Sequence, residues 1–112
     1  MESENLSCII FNSHDDFETG TCITAEFTEE GLLLRQDDWN YNSPEREKHR
    51  GVLFDRDATW ILARKLGCRL IEVPRELARR FGSEDEFSDV GKYAFYNILD
   101  YARCHGIVYK KE

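Results

Sequence analysis

Apolar and polar residues alternate in the first half of the chain, and this two-residue period predicts β-strands. Groups of turn-forming residues separate the runs, and Gly31 closes a tight turn after Thr28. Short connections between consecutive strands predict an antiparallel meander. The strands are predicted over Leu6–Phe11, Cys22–Phe27, Leu32–Gln36 and Glu47–Phe54.

The second half of the chain changes to the spacing of three and four residues that is typical of amphipathic helices. Capping aspartates, a proline and several glycines place the helix ends. Residues 107–112 follow the last helix and are predicted to form an edge strand or a tail. The predicted helices run from Asp55 or Asp57 to Gly67, from Pro74 to Phe81, and from Ser88 to Gly106.

This order of elements, strands first and helices afterwards, predicts an α+β fold. We expect an antiparallel sheet of about four to five strands, formed by the N-terminal meander, with about three helices packed on one face. Residues 1–112 are predicted to form a single domain. It would consist of a strand-rich acidic half (1–54), a helical half (55–106) and the segment 107–112.

The composition is that of a globular protein, because hydrophobic residues make up 41% of the 112 positions. No segment approaches the roughly 20 apolar residues of a membrane helix. Residues 1–7 hold two acids and no base, so a signal peptide is not predicted. We therefore expect a cytoplasmic protein. Its four cysteines form no CxxC pair and are expected to be buried free thiols, although a disulfide between Cys8 and Cys22 on adjacent strands stays open.

Charge is distributed unevenly along the chain, whose net charge is −7. Residues 1–45 carry eleven acids and one base, whereas residues 46–80 carry five acids and ten bases. Such an asymmetry gives information about solubility and partners but not about the fold. Two interpretations stay open: an acidic face for a basic partner, or a solvated surface whose halves neutralise each other after folding.

Motifs that carry catalysis or bind cofactors are absent. His14, Asp15 and Asp16 lie in a polar segment without the ligand spacing of a zinc or calcium site, and we interpret it as a solvated turn. Cys104 and His105 are adjacent, so on a helix their side chains point about 100° apart. The glycines form no phosphate-binding motif. We therefore expect a protein that is not an enzyme and has no cofactor or metal.

The basic residues between positions 64 and 80 raise the question of nucleic-acid binding. Most of them are the polar faces expected of amphipathic helices. The chain as a whole is acidic, with a pI near 5.0, whereas nucleic-acid-binding domains carry a dominant basic face. Direct nucleic-acid binding is not predicted, and neither is membrane binding.

An acidic and aromatic segment is the strongest candidate for a binding site. Asp37, Asp38, Trp39 and Tyr41 fall in a stretch, from Asp37 to Pro44, that we predict to be a long polar loop. Aromatic side chains are common interface anchors, and flanking acids steer basic partners. The alternative is that Trp39 folds back and closes the end of the sheet. Acids in the predicted turns extend the candidate surface: Asp15, Asp16, Glu29 and Glu30.

Three segments resemble small bacterial immunity proteins of toxin–immunity systems. They are GLLLRQDDW (Gly31–Trp39), VLFDRDATWILARKLG (Val52–Gly67) and HGIVY (His105–Tyr109), and with the final helix they cover about half of the chain. The resemblance implies a single-domain cytosolic inhibitor that protects a cell from a cognate toxin, often a basic nuclease. It carries over no individual functional residue.

The expected function is a stoichiometric protein-binding inhibitor, an immunity or antitoxin protein that blocks a basic toxin such as a nuclease. Asp37 and Asp38 would pair with lysine or arginine side chains of the partner, and Trp39 would anchor it. One alternative is a phage-encoded acidic inhibitor of a nuclease-based defence system. Others are an oligomerisation module built on the last helix, or a small ligand-binding or enzymatic domain with a pocket between sheet and helices, using His14, His49 or Tyr93.

Overall fold

The computed structural model describes residues 7–13, 19–40, 45, 47–83, 91 and 93–111. In these residues a β-meander is followed by helices and a short last strand. The strands are β1 (Ser7–Ser13), β2 (Thr19–Thr28), β3 (Gly31–Asn40), β4 (Lys48–Asp55) and β5 (Lys110–Lys111). The helices are α1 (Arg56–Leu66), α2 (Val73–Phe81) and α3 (Ala94–Cys104), with a 3₁₀ turn at Leu70–Glu72.

The five strands form one antiparallel sheet in the order β1-β2-β3-β4-β5. Alternate side chains of each strand point to one face, where α1, α2 and α3 cover them in a single core. Ile23, Leu34 and Phe54 show this alternation, and each is at most about one per cent exposed. The α+β prediction, with an antiparallel sheet and helices on one of its faces, is confirmed.

Strand β1 contains a bulge that the sequence pattern does not reveal. Its pairing with β2 shifts between Ile9 and Phe11, so Ile10 has no direct partner across the ladder. As a result Ile10 and Phe11 are both buried, although successive residues of a regular strand point to opposite faces. Ile9 stays on the open face and is largely exposed.

The bounds of α1 follow the predicted capping residues. The Asp55 carboxylate accepts a hydrogen bond from the Ala58 amide at 2.8 Å, which satisfies a donor at the helix start. At the other end Gly67 takes a left-handed conformation with φ of 75°. Its amide and that of Cys68 donate to carbonyls of the last turn, at Arg64 and Ala63. Asp55 rather than Asp57 is therefore the N-cap.

The later elements differ from the prediction in detail. Helix α2 starts at Val73, one residue before the predicted Pro74. The predicted start of the third helix at Ser88 lies outside the described residues. The last strand is Lys110–Lys111 and not Ile107–Tyr109, because Ile107 is buried in the core and Tyr109 packs against it instead of joining the sheet ladder.

The largest difference concerns the segment that follows Gln36. The prediction of a loop beginning at Asp37 is wrong, because β3 continues to Asn40. Backbone pairing explains the extension: Asp37 lies between Cys22 of β2 and His49 of β4, and Asp38 lies between Thr21 and Lys48. Pairing on both sides holds the polar residues in the strand without any apolar alternation.

Candidate functional site

Asp37 lies on the open face of the sheet, where Arg35 and His49 already contact its carboxylate. Its Oδ1 atom is 2.8 Å from His49 Nδ1 and 3.5 Å from an Arg35 nitrogen. His49 is its direct cross-strand neighbour, a position at which side chains are close enough to interact. The negative charge of Asp37 is thus offset within the protein and is only partly available to a partner.

Asp38 points to the opposite, helix-covered face and forms a polar network. Its Oδ1 atom accepts hydrogen bonds from the Thr21 hydroxyl at 2.9 Å and from the Gln36 amide at 3.1 Å. Thr21 and Gln36 are both buried, and the Arg50 guanidinium lies 3.8 Å from Asp38 Oδ2. Because Asp37 and Asp38 lie on opposite faces, one flat partner surface cannot pair with both.

Trp39 is half-buried and lies opposite the buried Gly20 on the open face. It is part of the sheet and not of a projecting loop. Three further predicted site residues, Tyr41, Asp15 and Asp16, lie outside the described residues. The Asp37–Trp39 end of β3 is therefore occupied by contacts within the sheet.

Glu29 and Glu30 lie at the other end of β3, in the turn between β2 and β3. Nine residues of extended chain separate Glu30 from Trp39, which is roughly 30 Å. Both glutamates are exposed, and among the described residues neither has an ion-pair partner. Arg56 donates to the Glu29 carbonyl at 2.8 and 3.0 Å and fixes the turn against the start of α1. The five predicted binding residues that the structure describes thus do not lie together: Asp37, Asp38 and Trp39 are at one end of β3, and Glu29 and Glu30 are at the other.

Beside this turn, large apolar side chains are exposed on α1 and on the 3₁₀ turn. Trp60 is 53% exposed and Ile71 is 51% exposed, and Ile61 and Leu70 are exposed as well. Helix α1 turns Ala58, Leu62, Ala63 and Leu66 inward, so Trp60 and Ile61 remain outside. We call the depression between these elements the apolar groove; it has a volume of about 810 Å³. Its lining consists of Phe27, Trp60, Ala63, Arg64, Cys68, Arg69, Leu70 and Ile71.

Charges of opposite sign flank the apolar groove. Phe27 lines it two residues before Glu29, and Trp60 lies one helical turn after the exposed Asp57, so this end is acidic. Arg64 and Arg69 line the other side. The charged residues of the lining itself, Arg64 and Arg69, are both basic. We call the exposed acids that follow Phe27 or precede Trp60 in sequence, Glu29, Glu30 and Asp57, the acidic rim.

Sequence reasoning missed the apolar groove for an identifiable reason. The helical spacing of the sequence places Ile61 with Ala58, Leu62 and Leu66 among the apolar positions of the first helix, and Leu70 and Ile71 fall in the connection between two predicted helices. A signal was nevertheless present. With Trp60 and Ile61, the first helix carries more apolar side chains than its inward face can bury. A second apolar pair, Leu70 and Ile71, follows only a few residues after the helix.

The surroundings of Cys22 and Cys68 disfavour their reactive thiolate forms. Burial raises the pKa of the Cys22 thiol, and the nearby Asp37 carboxylate raises it further. Burial likewise raises the pKa of Cys68, with added effects of Glu76 and Glu72. All four thiols are free, as predicted, but the expectation that they are buried is wrong, since three are partly exposed and Cys104 is exposed. Cys8 lies opposite Ala25 rather than Cys22, so the open possibility of a Cys8–Cys22 disulfide is excluded.

The described part of the chain contains neither a group of metal ligands nor a membrane-spanning helix. Within it, no three side chains of His, Cys, Asp or Glu are grouped so that they could hold a metal ion. Of the residues named for a ligand pocket, His49 is paired with Asp37, Tyr93 is exposed, and His14 lies outside the described residues. No helix in the described ranges has the length and apolar character needed to span a membrane.

Comparison with known proteins identifies no relative of this chain. No protein-family model matches the chain, and neither a curated protein nor a solved structure is significantly similar to it.

Proposed function

We propose that the protein is a stoichiometric protein-binding inhibitor of the immunity or antitoxin type, and that it binds its target through the apolar groove. One observation carries the proposal: three large apolar side chains that line the groove, Trp60, Leu70 and Ile71, are exposed. Contiguous exposed apolar surface of this kind is typical of sites for protein partners.

Trp60 is the anchor in this proposal. Tryptophan is among the residues that contribute most to binding, and truncating such an anchor typically costs about 2 kcal/mol or more. Trp60 projects from a capped helix whose other face is buried in the core. The anchor is thus held on a rigid element, which reduces the entropy that is lost on binding.

The acidic rim sets the charge of the proposed partner. Glu29 and Glu30 are exposed beside the groove, and a basic surface on the target, such as the active-site face of a nuclease, would complement them. The inhibitor would act by covering that surface, without chemistry of its own. Relative to the expectation from sequence, the interface moves from Asp37–Trp39 to the opposite end of β3.

The test uses the purified full chain to capture proteins from its native host. We expect a basic protein to be retained by the wild type and lost by Trp60→Ser, and its toxic activity to be blocked at a one-to-one molar ratio. Tyr93→Ser is the matched control, because Tyr93 is another aromatic side chain with 56% exposure. A captured toxin would indicate an immunity protein, and a defence nuclease would indicate an anti-defence inhibitor.

A charge experiment tests the position of the interface independently. The double substitution Glu29→Lys with Glu30→Lys should weaken binding of the captured target and reduce its dependence on salt. The matched control, Asp37→Lys with Asp38→Lys, should lower the folding stability of the protein and should not act through the binding interface. If Trp60→Ser and the Glu29/Glu30 variant both bind the target like the wild type, the groove is not the binding site.

A further inference from the structure

A second depression lies at the far edge of the sheet, between the outer side of β4 and helix α3. Its volume is about 380 Å³, which is in the range of small-molecule sites. The buried side chains of Val52, Phe95 and Leu99 form an apolar floor. We call it the basic–aromatic cleft. It shares no lining residue with the apolar groove.

Three cationic side chains from three different elements line this cleft: Arg50 of β4, Arg103 of α3 and Lys111 of β5. None of the lining residues is an acid. The two carboxylates that contact the arginines, Asp38 and Asp100, are not among the lining residues. Cationic side chains therefore outnumber acidic side chains at the cleft, and they lie above its apolar floor.

The arginines are held in place and still have donors to offer. Arg50 donates to the Tyr96 hydroxyl, and Arg103 donates to the Tyr109 hydroxyl at 3.3 Å. A guanidinium has five N–H donors, so these contacts use only part of its capacity. Lys111 has no ion pair among the described residues. Donors fixed in this way lose little freedom when they bind an anion.

Aromatic rings complete the walls. Tyr109 packs edge-on against Phe54, with 5.6 Å between ring centroids, and Tyr96 packs edge-on against Phe95 at 5.3 Å. Both tyrosines line the cleft, and neighbouring rings of the core fix their orientation. Flat walls above an apolar floor suit a planar ring, since aromatic groups stack in offset or edge-on arrangements.

We propose that the basic–aromatic cleft binds a small phosphate ester of a planar ring compound, the chemistry of a nucleoside monophosphate. The phosphate would lie among Arg50, Arg103 and Lys111. Asp38 and Asp100 already pair with the two arginines, so the unpaired Lys111 and the remaining guanidinium donors would meet the phosphate charge of up to about −2. The ring would contact the tyrosines and the apolar floor. The site does not depend on the proposed inhibitor function.

The test is a titration of the full chain with AMP, followed by backbone amide NMR. We expect saturable shifts confined to β4, α3 and residues 109–111. Adenosine, which lacks the phosphate, and inorganic phosphate, which lacks the ring, should each bind about tenfold more weakly or less. No saturation by AMP up to about 10 mM, far above the micromolar to millimolar range of ordinary ligands, would refute the site.

Adjacent lysines provide matched variants. Lys111 lines the cleft, whereas Lys110 pairs opposite Leu53 and does not line it. Lys111→Gln should weaken AMP binding about tenfold, and Lys110→Gln should leave it unchanged. Both residues are exposed at the sheet edge, so the fold should tolerate both changes. Equal loss in the two variants would mean that AMP responds to overall charge, and the proposed site would be wrong.

Discussion

The two ends of strand β3 carry similar residues in opposite situations. At the Asp37–Trp39 end, the two carboxylates lie between partners on both neighbouring strands, and Trp39 is paired with Gly20 of β2. At the other end, Glu29 and Glu30 are exposed beside Trp60, and among the described residues no ion pair engages either carboxylate. Strand register, and not the local sequence, determines which of these charges a partner protein can reach.

The largest effect is expected for the turn that presents Glu29 and Glu30. Gly31 has φ of 147°, and a Cβ atom there would lie 2.0 Å from the Phe54 carbonyl oxygen. Gly31→Ala should lower the free energy of unfolding by at least about 3 kcal/mol, measured by urea denaturation. Gly67→Ala is the control, because Gly67 has space for a Cβ and should cost only about 1 to 2 kcal/mol. Similar losses in both would refute the steric argument.

The next effect separates the two adjacent acids. Asp38→Ala leaves the buried Thr21 hydroxyl and Gln36 amide without their acceptor, and should cost about 2 kcal/mol of folding stability. Asp37→Ala removes only partly exposed ion pairs and should cost less than about 1 kcal/mol. Equilibrium unfolding of both variants measures the difference. If Asp37→Ala is the more damaging change, the assignment of the two acids to opposite faces is wrong.

A third prediction contrasts a paired carboxylate with the exposed pair. Hydrogen bonds from Arg79 and Arg80 lower the pKa of Glu76 to about 2, against 4.5 for a free glutamate. Because the folded pKa is depressed, the stabilisation is complete above pH 4.5 and is lost as the pH falls towards 2.

The acid limb of the stability profile should therefore be shallower in Glu76→Gln than in the wild type. The profile is measured by urea unfolding at successive pH values. Glu29→Gln with Glu30→Gln serves as the comparison and should keep the wild-type slope. A slope unchanged by Glu76→Gln would contradict the assignment.

The smallest effect on stability is expected at the exposed tryptophan. Trp60→Phe should change the free energy of unfolding by less than about 0.5 kcal/mol, since Trp60 is 53% exposed. The same variant retains Trp39 alone and should emit at shorter wavelength, and be quenched less by acrylamide, than Trp39→Phe. Equal quenching of the two single-tryptophan proteins would remove the distinction between the two ends of β3.

The parts of the fold that the sequence predicted are those encoded by local physics. Alternation over Cys22–Phe27 identified a half-buried strand, and the Asp55 cap and Gly67 marked the ends of α1. Each of these signals acts within a few residues of chain. Local patterns were therefore sufficient for the element order and the α+β class.

The candidate site depended on contacts that are distant in sequence. Asp37 pairs with His49 twelve positions away, and Asp38 binds Thr21 seventeen positions away. Neither partner is visible in the polar run around Trp39, which has no alternation and was therefore interpreted as a loop. The exposure of Trp60 likewise depends on how helix α1 packs against the sheet, because that packing determines which of its apolar side chains are buried. Periodicity along a single helix does not contain this information.

The bulge in β1 has a consequence for the protein at high concentration. An edge strand with an unbroken ladder is a template on which other copies can add strands and aggregate. The shift between Ile9 and Phe11 divides this edge into two short pieces, Ser7–Ile9 and Phe11–Ser13. A second chain would lose register after about three residues, so extended strand addition at this edge is disfavoured. The irregularity that buries Ile10 also helps to keep separate molecules of the protein apart.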